Sequence, residues 1–345
     1  MSYLEQEIAE QPQVLAQLLN EENAKAREIA RAIRHCAPQF VVIAARGTSD
    51  HAATYGKYLL AATCGLPVAL AAPSLFTIYG RPPRLQGALV VGISQSGRSP
   101  DIVEVVAEGR RQGAMTLGIT NDPQSPLGQA AELCLPCHAG EERSVAATKT
   151  YTAQLTALAL VAAALADDGS MWRELERLPE WVQRALDLAP AMPQRVERFR
   201  YMERCVLIGR GYNYATALET ALKLKELTYV VAEPYSSADF RHGPIAMVEP
   251  GFPVFMVAPA GAVYADLIAL AKELGEREAE LVMVSDQAEA LALAQTRLAL
   301  PAAVPEWLSP IVAVVPGQLF AAALTRAKGY DQDRPRGLQK VTRTR

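Results

Sequence analysis

The chain has 345 residues, half of them hydrophobic, with 34 Lys+Arg against 37 Asp+Glu and a net charge of −3. At about 150 residues per domain this length predicts two cores, and the balanced charge gives no electrostatic reason to expect nucleic acid or an anionic membrane as partner. The start, MSYLEQEIAEQP, lacks the charged and apolar regions of an export signal, and apolar runs such as Ala157 to Ala166 fall short of a bilayer span, so a cytoplasmic protein is expected.

In chain order, residues 1–36 read as a polar, amphipathic helical lead-in. Residues 37–165 alternate short apolar β-rich runs, near 39–45, 67–71, 88–93, 115–120 and 132–136, with helical stretches. Residues 166–200, with Trp172 and Trp181 among spaced leucines, read as linking helices. Residues 201–328 repeat the alternation, with runs near 204–209, 231–235, 253–258, 280–285 and 297–301. Strands alternating with helices predict an α/β fold, a doubly wound parallel sheet covered on both faces. Residues 329–345 are rich in charge and turn formers, and composition alone reads them as a loose tail.

The two halves are copies of one unit. Val41 to Gly47 corresponds to Cys205 to Gly211; Arg46 pairs with Arg210 and Gly97 with Gly261, each 164 residues on. Leu117 to Asp122 resembles Val282 to Asp286, and Leu133-Cys-Leu-Pro136 resembles Leu298-Ala-Leu-Pro301.

In open parallel sheets ligands bind beyond the carboxyl ends of the strands. Three polar segments of the first copy fall there: Arg46 to Asp50, Ser94 to Asp101, and Glu141 to Lys149. The second segment, SQSGRSPD, places Ser94, Gln95, Ser96 and Ser99 where a strand feeds a helix, so backbone N–H groups and hydroxyls can cradle an anion. The lysine of a P-loop is missing, which favours a monophosphate over a nucleotide triphosphate. The bland alternative is a turn capped by serine. The second copy has Ala258-Pro-Ala-Gly261 at this point, so the anion is expected in the first copy only.

In the second copy, Glu219, Lys223 and Glu226 lie four and three apart on a helical pattern, Thr216 to Ala232. By pattern alone this is a solvated salt-bridge ladder. Asp239-Phe-Arg-His-Gly-Pro244 is a loop-like run holding one of four histidines. Five scattered cysteines argue against a disulfide framework. Cys134-Leu-Pro-Cys137-His138 has the spacing of a haem attachment or half a zinc site, but no second Cys/His pair completes four zinc ligands; the bland reading is a strand end carrying thiols. No metal and no organic cofactor is expected.

Seven stretches together resemble the tandem sugar-isomerase (SIS) domain family, which includes the isomerase half of glucosamine-6-phosphate synthase and the isomerase-type glucosamine-6-phosphate deaminases. They are Glu7 to Pro12, Gly47-Thr-Ser49, Ser94-Gln-Ser-Gly97, Val145 to Lys149, Ala217 to Glu226, Arg241-His-Gly-Pro244 and Leu338-Gln-Lys340. The resemblance implies two tandem SIS domains, each a five-stranded parallel sheet flanked by helices. It implies phosphosugar contacts at Gly47, Thr48, Ser49, Ser94, Gln95, Ser96, Ser99 and Val145, and catalytic positions at Lys223, Glu226, His242 and Lys340. In the family the glutamate moves a proton between carbons 1 and 2, the lysine of the same helix helps shuttle the proton at the oxygen or nitrogen on carbon 2, the histidine opens the sugar ring and comes from a neighbouring subunit, and the C-terminal lysine closes over the site. A homodimer sharing His242 is therefore expected.

The departures are informative. Arg46 stands where the synthase has a cysteine, Arg98 where it has an acidic residue and Ala147 where it has a serine, while Arg98, Asp239 to His242 and Lys340-Val-Thr look closer to the deaminase branch. The start at Met1-Ser2, with no glutaminase domain, implies no glutamine hydrolysis. The leading expectation is isomerising deamination of glucosamine 6-phosphate to fructose 6-phosphate and ammonia. Alternatives are another phosphosugar isomerase, a fructosamine-phosphate deglycase, or ammonia-dependent amination of fructose 6-phosphate; a sugar-phosphate sensor without catalysis is the alternative of another class.

Overall fold

The computed structural model describes residues 1–340; the end of the expected 329–345 tail, residues 341–345, lies outside the described residues. Ten strands form: β1 (Phe40–Ala44), β2 (Val68–Leu70), β3 (Ala88–Ile93), β4 (Met115–Thr120), β5 (Leu133–Pro136), β6 (Arg204–Gly209), β7 (Val231–Ser236), β8 (Pro253–Val257), β9 (Glu280–Ser285) and β10 (Thr296–Ala299). They make two five-stranded parallel sheets, ordered β2-β1-β3-β4-β5 and β10-β9-β8-β6-β7. Read from its other end, the second order is the first again, as duplication of one unit requires.

Helices cover the sheets, so central strands are buried along their length and must be apolar throughout: every residue of β3, Ala-Leu-Val-Val-Gly-Ile, is buried. Around the first sheet Val42, Val90, Ile102, Val105, Val106 and Leu127 form the core. Around the second, Val206, Ile208, Val254, Met256, Leu270 and Leu281 do the same.

The described residues divide into two compact units. The first-sheet unit comprises Gln13–Glu142, Lys149–Arg177 and the end of the tail at Gln339 and Lys340; the second-sheet unit comprises Met1–Pro12, Arg143–Thr148 and Leu178–Leu338. The expected lead-in is two helices, Tyr3–Ala9 and Gln11–Cys36. Ser2 and Glu5 close a capping box at the start of the first, whose Leu4 and Ile8 are buried in the second-sheet unit.

The reading of 331–338 as loose is corrected. Asp333 accepts the otherwise orphaned N–H groups of Tyr3 and Leu4 at 3.0 and 2.9 Å, Gln332 donates to the Ala322 carbonyl at 2.7 Å, and Arg336 lies 3.9 Å over the Tyr229 ring. Polar side chains that look solvated by composition are here spent on the chain's own groups, Asp333 on a helix end. Apolar length also misleads in one place. The helix Ser309–Ala327 is long and apolar enough to cross a membrane, yet Ile311, Val312, Val315, Phe320 and Leu324 are buried by protein.

Among the cysteines, Cys137 is fully buried, and burial pushes its thiol up; the Cys134 thiol is pushed up to about 11 by burial. His138 turns away to Glu22 at 2.6 Å and Glu21 at 3.0 Å.

Candidate functional site

The strand order reverses between β1 and β3, and the segments that follow these two strands hold most of the expected phosphate contacts. After β3 the backbone turns at Gly97, φ +62°, where a side chain would collide with Ser125, so only glycine fits. The Ser94 Oγ accepts from the Gly97 N–H at 3.2 Å and the Ser96 Oγ from the Arg98 N–H at 3.3 Å. Ser99 occupies the N-cap position of helix Pro100–Arg111, but its side chain makes no capping bond. The capped-turn alternative therefore fails at Ser99. After β1, Gly47 (φ +54°) starts helix Thr48–Cys64, again without a side-chain cap. The buried Ser49 hydroxyl accepts from Gln154 Nε2 at 3.0 Å.

Two of the residues that depart from the synthase pattern bracket this cradle. Arg46 Nε reaches the fully buried Asp101 carboxylate at 2.7 Å, and Arg98, largely exposed, lies 3.7 Å from Asp122. Burial pushes the Asp50 carboxyl up, against the pull of His51 and Arg46.

At the equivalent turn of the second copy, the chain supplies its own anions. The Glu306 carboxylate packs against Gly261 and accepts from the Ala262 N–H at 3.0 Å, and Asp286 accepts from the Ala260 N–H at 2.8 Å. The N–H groups that a phosphate would need are taken.

In the second-sheet unit, helix Tyr214–Thr228 carries the acid/base candidates; it ends where Tyr229 turns left-handed, φ +59°, short of the expected Ala232. The solvated-ladder reading is corrected here. The side chains of Glu219 and Lys223 are 0 % and 1 % exposed, and only Glu226, at 22 %, opens to solvent; Lys223 Nζ is 2.6 Å from Glu226 and 3.4 Å from Glu219. The periodicity marked a charged face without saying that the face is covered. Thr220 beside it packs against Gly317 of helix Ser309–Ala327, an approach that leaves no room for a Cβ.

His242 is exposed. Its segment is helical rather than loop-like: Ser237–Arg241 is a short helix with Phe240 buried, followed by a 3₁₀ turn, Pro244–Met247. Asp266 anchors it, accepting from Ser237 Oγ and lying 3.0 Å from Arg241 and 2.9 Å from Arg210. Burial raises the Asp266 carboxyl, but the Ser237 hydroxyl and the two arginines outweigh it and hold the group below its ordinary value.

Val145 sits in the second-sheet unit, on a segment tied down by the buried Glu7, whose carboxylate accepts from the N–H groups of Arg143 and Ser144. Lys340 belongs to the first-sheet unit and pairs with Glu142 at 2.7 Å. Sequence reasoning assigned no role to Glu7, Glu142, Gln154, Glu219, Asp266 or Glu306. Glu7 stood inside a recognised stretch, Glu142 inside the polar segment Glu141 to Lys149 and Glu219 inside the i, i+4 ladder; the others carry no local signal. Among the described residues no group of three His, Cys, Asp or Glu side chains is arranged to hold a metal ion.

The SIS domain family matches residues 35–164 and 199–325. A glutamine–fructose-6-phosphate aminotransferase [isomerizing] of Gloeobacter violaceus is 40 % identical over 87 % of this chain and 51 % of its own length. The chain thus spans about half the length of the curated relatives it matches. Among solved structures, a candidate phosphosugar isomerase from Silicibacter pomeroyi DSS-3 is 33 % identical, with a TM-score of 0.87 over 96 % of this chain and 100 % of its own. The C-terminal domain of the glucosamine-fructose-6-phosphate aminotransferase of Francisella tularensis is 29 % identical, with a TM-score of 0.88 over 97 % of this chain and 98 % of its own.

Proposed function

The chain belongs to the SIS domain family, in tandem form. We propose that it is a phosphosugar isomerase of the aminotransferase isomerase-domain type, and that it converts glucosamine 6-phosphate to fructose 6-phosphate and ammonia. The observation that carries this reading is Lys223, buried between two carboxylates of which Glu226 alone meets solvent. Aldose–ketose conversion needs one base that takes a proton beside a carbonyl or imine and returns it to the neighbouring carbon, with a fixed cation near the developing negative charge. Glu226 fills the first role and Lys223 the second. Ser94, Gln95, Ser96 and Ser99, with Thr48 and Ser49, hold the phosphate, converting binding energy at the sugar's remote end into positioning.

His242 opens the sugar ring, its exposure being what service to a second subunit of a homodimer requires. With the ring open, Glu226 moves the proton from carbon 2 to carbon 1; water adds to the resulting imine at carbon 2, and ammonia leaves. Arg98 at the cradle supports this direction, being a deaminase-like departure. The names of the curated relatives favour a second reading, amination of fructose 6-phosphate.

Purified protein given glucosamine 6-phosphate should release ammonia and exchange the carbon-2 proton with solvent. Exchange without ammonia release would leave a plain isomerase; ammonia incorporation into fructose 6-phosphate without the reverse would favour amination. Binding with no exchange at all would make the protein a sensor and end the catalytic reading.

A further inference from the structure

The Glu142 side chain is 0 % exposed, deep beyond the carboxyl end of β5. A buried carboxylate needs partners, because leaving it uncompensated costs more than a hydrogen bond contributes. Three are present. The Thr150 N–H, in the first turn of helix Lys149–Ala166, donates to Oε1 at 3.1 Å, the Thr150 hydroxyl donates to Oε2 at 2.7 Å, and Lys340 Nζ reaches Oε2 at 2.7 Å. Helix start and hydroxyl fix the carboxylate; the lysine comes from the tail, 198 residues away.

The segment bearing Glu142 is also joined to the phosphate cradle. Asn121 donates its backbone N–H to the Gln95 carbonyl at 3.1 Å, its side chain donates to the Gly140 carbonyl at 2.7 Å, and it accepts from the Ala139 N–H at 2.8 Å. One residue thus sets the spacing between the cradle and the segment of Glu142.

We propose that Glu142 is the positioning residue for Lys340, holding the tail's ammonium at the carboxyl end of the first sheet on a segment braced against the phosphate cradle. This rests on the functional reading only in giving Lys340 a catalytic task. The pairing itself is measurable without turnover.

The test is competitive acylation of the full chain at neutral pH with an amine-reactive reagent, read peptide by peptide by mass spectrometry, with the exposed Lys57 as internal reference. In the wild type Lys340 should label more slowly than Lys57. In Glu142→Gln, which keeps the size and removes the charge, Lys340 labelling should rise roughly tenfold while Lys57 stays constant, the factor expected when a charge-assisted bond is lost. Wild-type labelling of Lys340 at the rate of Lys57, or equal Lys340 rates in a folded Glu142→Gln protein, overturns the proposal. Should Glu142→Gln not fold, Thr150→Ala removes the hydroxyl bond to Oε2 and should raise Lys340 labelling by a smaller factor; no rise overturns the proposal equally.

With glucosamine 6-phosphate, Glu142→Gln should lower kcat and leave the dissociation constant for inorganic phosphate unchanged, with partial recovery in Glu142→Asp. An unchanged kcat beside raised labelling removes the catalytic part of the proposal. A Lys340→Met protein with wild-type turnover would sink the role of Lys340 in the functional reading, while the labelling would still judge the pair.

Discussion

Replacing Glu226 by glutamine separates chemistry from stability, because the two carboxylates beside Lys223 differ in burial. Removing one partner of a fully buried pair costs about 3–5 kcal/mol. Glu226 is partly solvated, and Glu219 remains 3.4 Å from Lys223 to compensate it, so the loss in Glu226→Gln should be smaller, about 1–2 kcal/mol, between surface and buried pairs. At roughly 2–4 °C per kcal/mol for a domain of 150–250 residues, that is a fall in Tm of a few degrees. Catalysis should fall much further, by about 10²–10⁴, since the general base is gone. Glu219→Gln should show the reverse weighting, with Tm down by roughly 10 °C, because a buried ammonium loses its fully buried partner. The assay is exchange of the substrate's carbon-2 proton in deuterated buffer, beside thermal unfolding of the same samples. Full exchange activity in a folded Glu226→Gln protein would refute the assignment of Glu226 as the base.

Two further outcomes follow from the geometry. Ser99→Ala should weaken phosphosugar binding by about 10–100-fold, the value of one hydrogen bond to a charged group, while Tm stays within about a degree because no capping bond is lost; calorimetric titration checks it, and a large fall in Tm would restore the cap reading. Asp266 is held below its ordinary carboxyl value, so its stabilising effect is complete above the unfolded value of 3.8 and is lost as pH falls below that toward the folded value. The gap in urea midpoint between wild type and Asp266→Asn should therefore be constant from pH 7 to about 5 and shrink on further acidification; a gap independent of pH down to 3 would contradict it.

Where one local rule decides the outcome, the sequence was readable. A central parallel strand must be apolar on both faces, which marks the six central strands, and duplication made each copy a check on the other, so that all ten strands fall at or within a residue or two of their expected positions. Side-chain environment is decided by partners far along the chain. The spacing of Glu219, Lys223 and Glu226 is the same for a wet ladder and a buried one; a helix about 90 residues on packs beside them, Gly317 against Thr220. Asp333, Gln332 and Arg336 look solvated by composition, and only the partners they meet, a helix start, the Ala322 carbonyl and the Tyr229 ring, give them work.

The turn after β8 turns this into an argument about the site. Two copies with one strand order should offer two anion sites, yet in the second Glu306 and Asp286 accept from the N–H groups of Ala262 and Ala260. A phosphate there would displace two carboxylates and meet their charge at close range, whereas the first copy presents hydroxyls, which favour an anion and leave the Ser99 side chain outside the cap. The two copies thus differ at this turn for a physical reason: in the first, serine hydroxyls accept from the N–H groups of Gly97 and Arg98, and in the second, carboxylates accept from those of Ala260 and Ala262. On the proposed function, a substitution in the cradle should act on substrate affinity, and one at Glu226 or Lys223 on turnover.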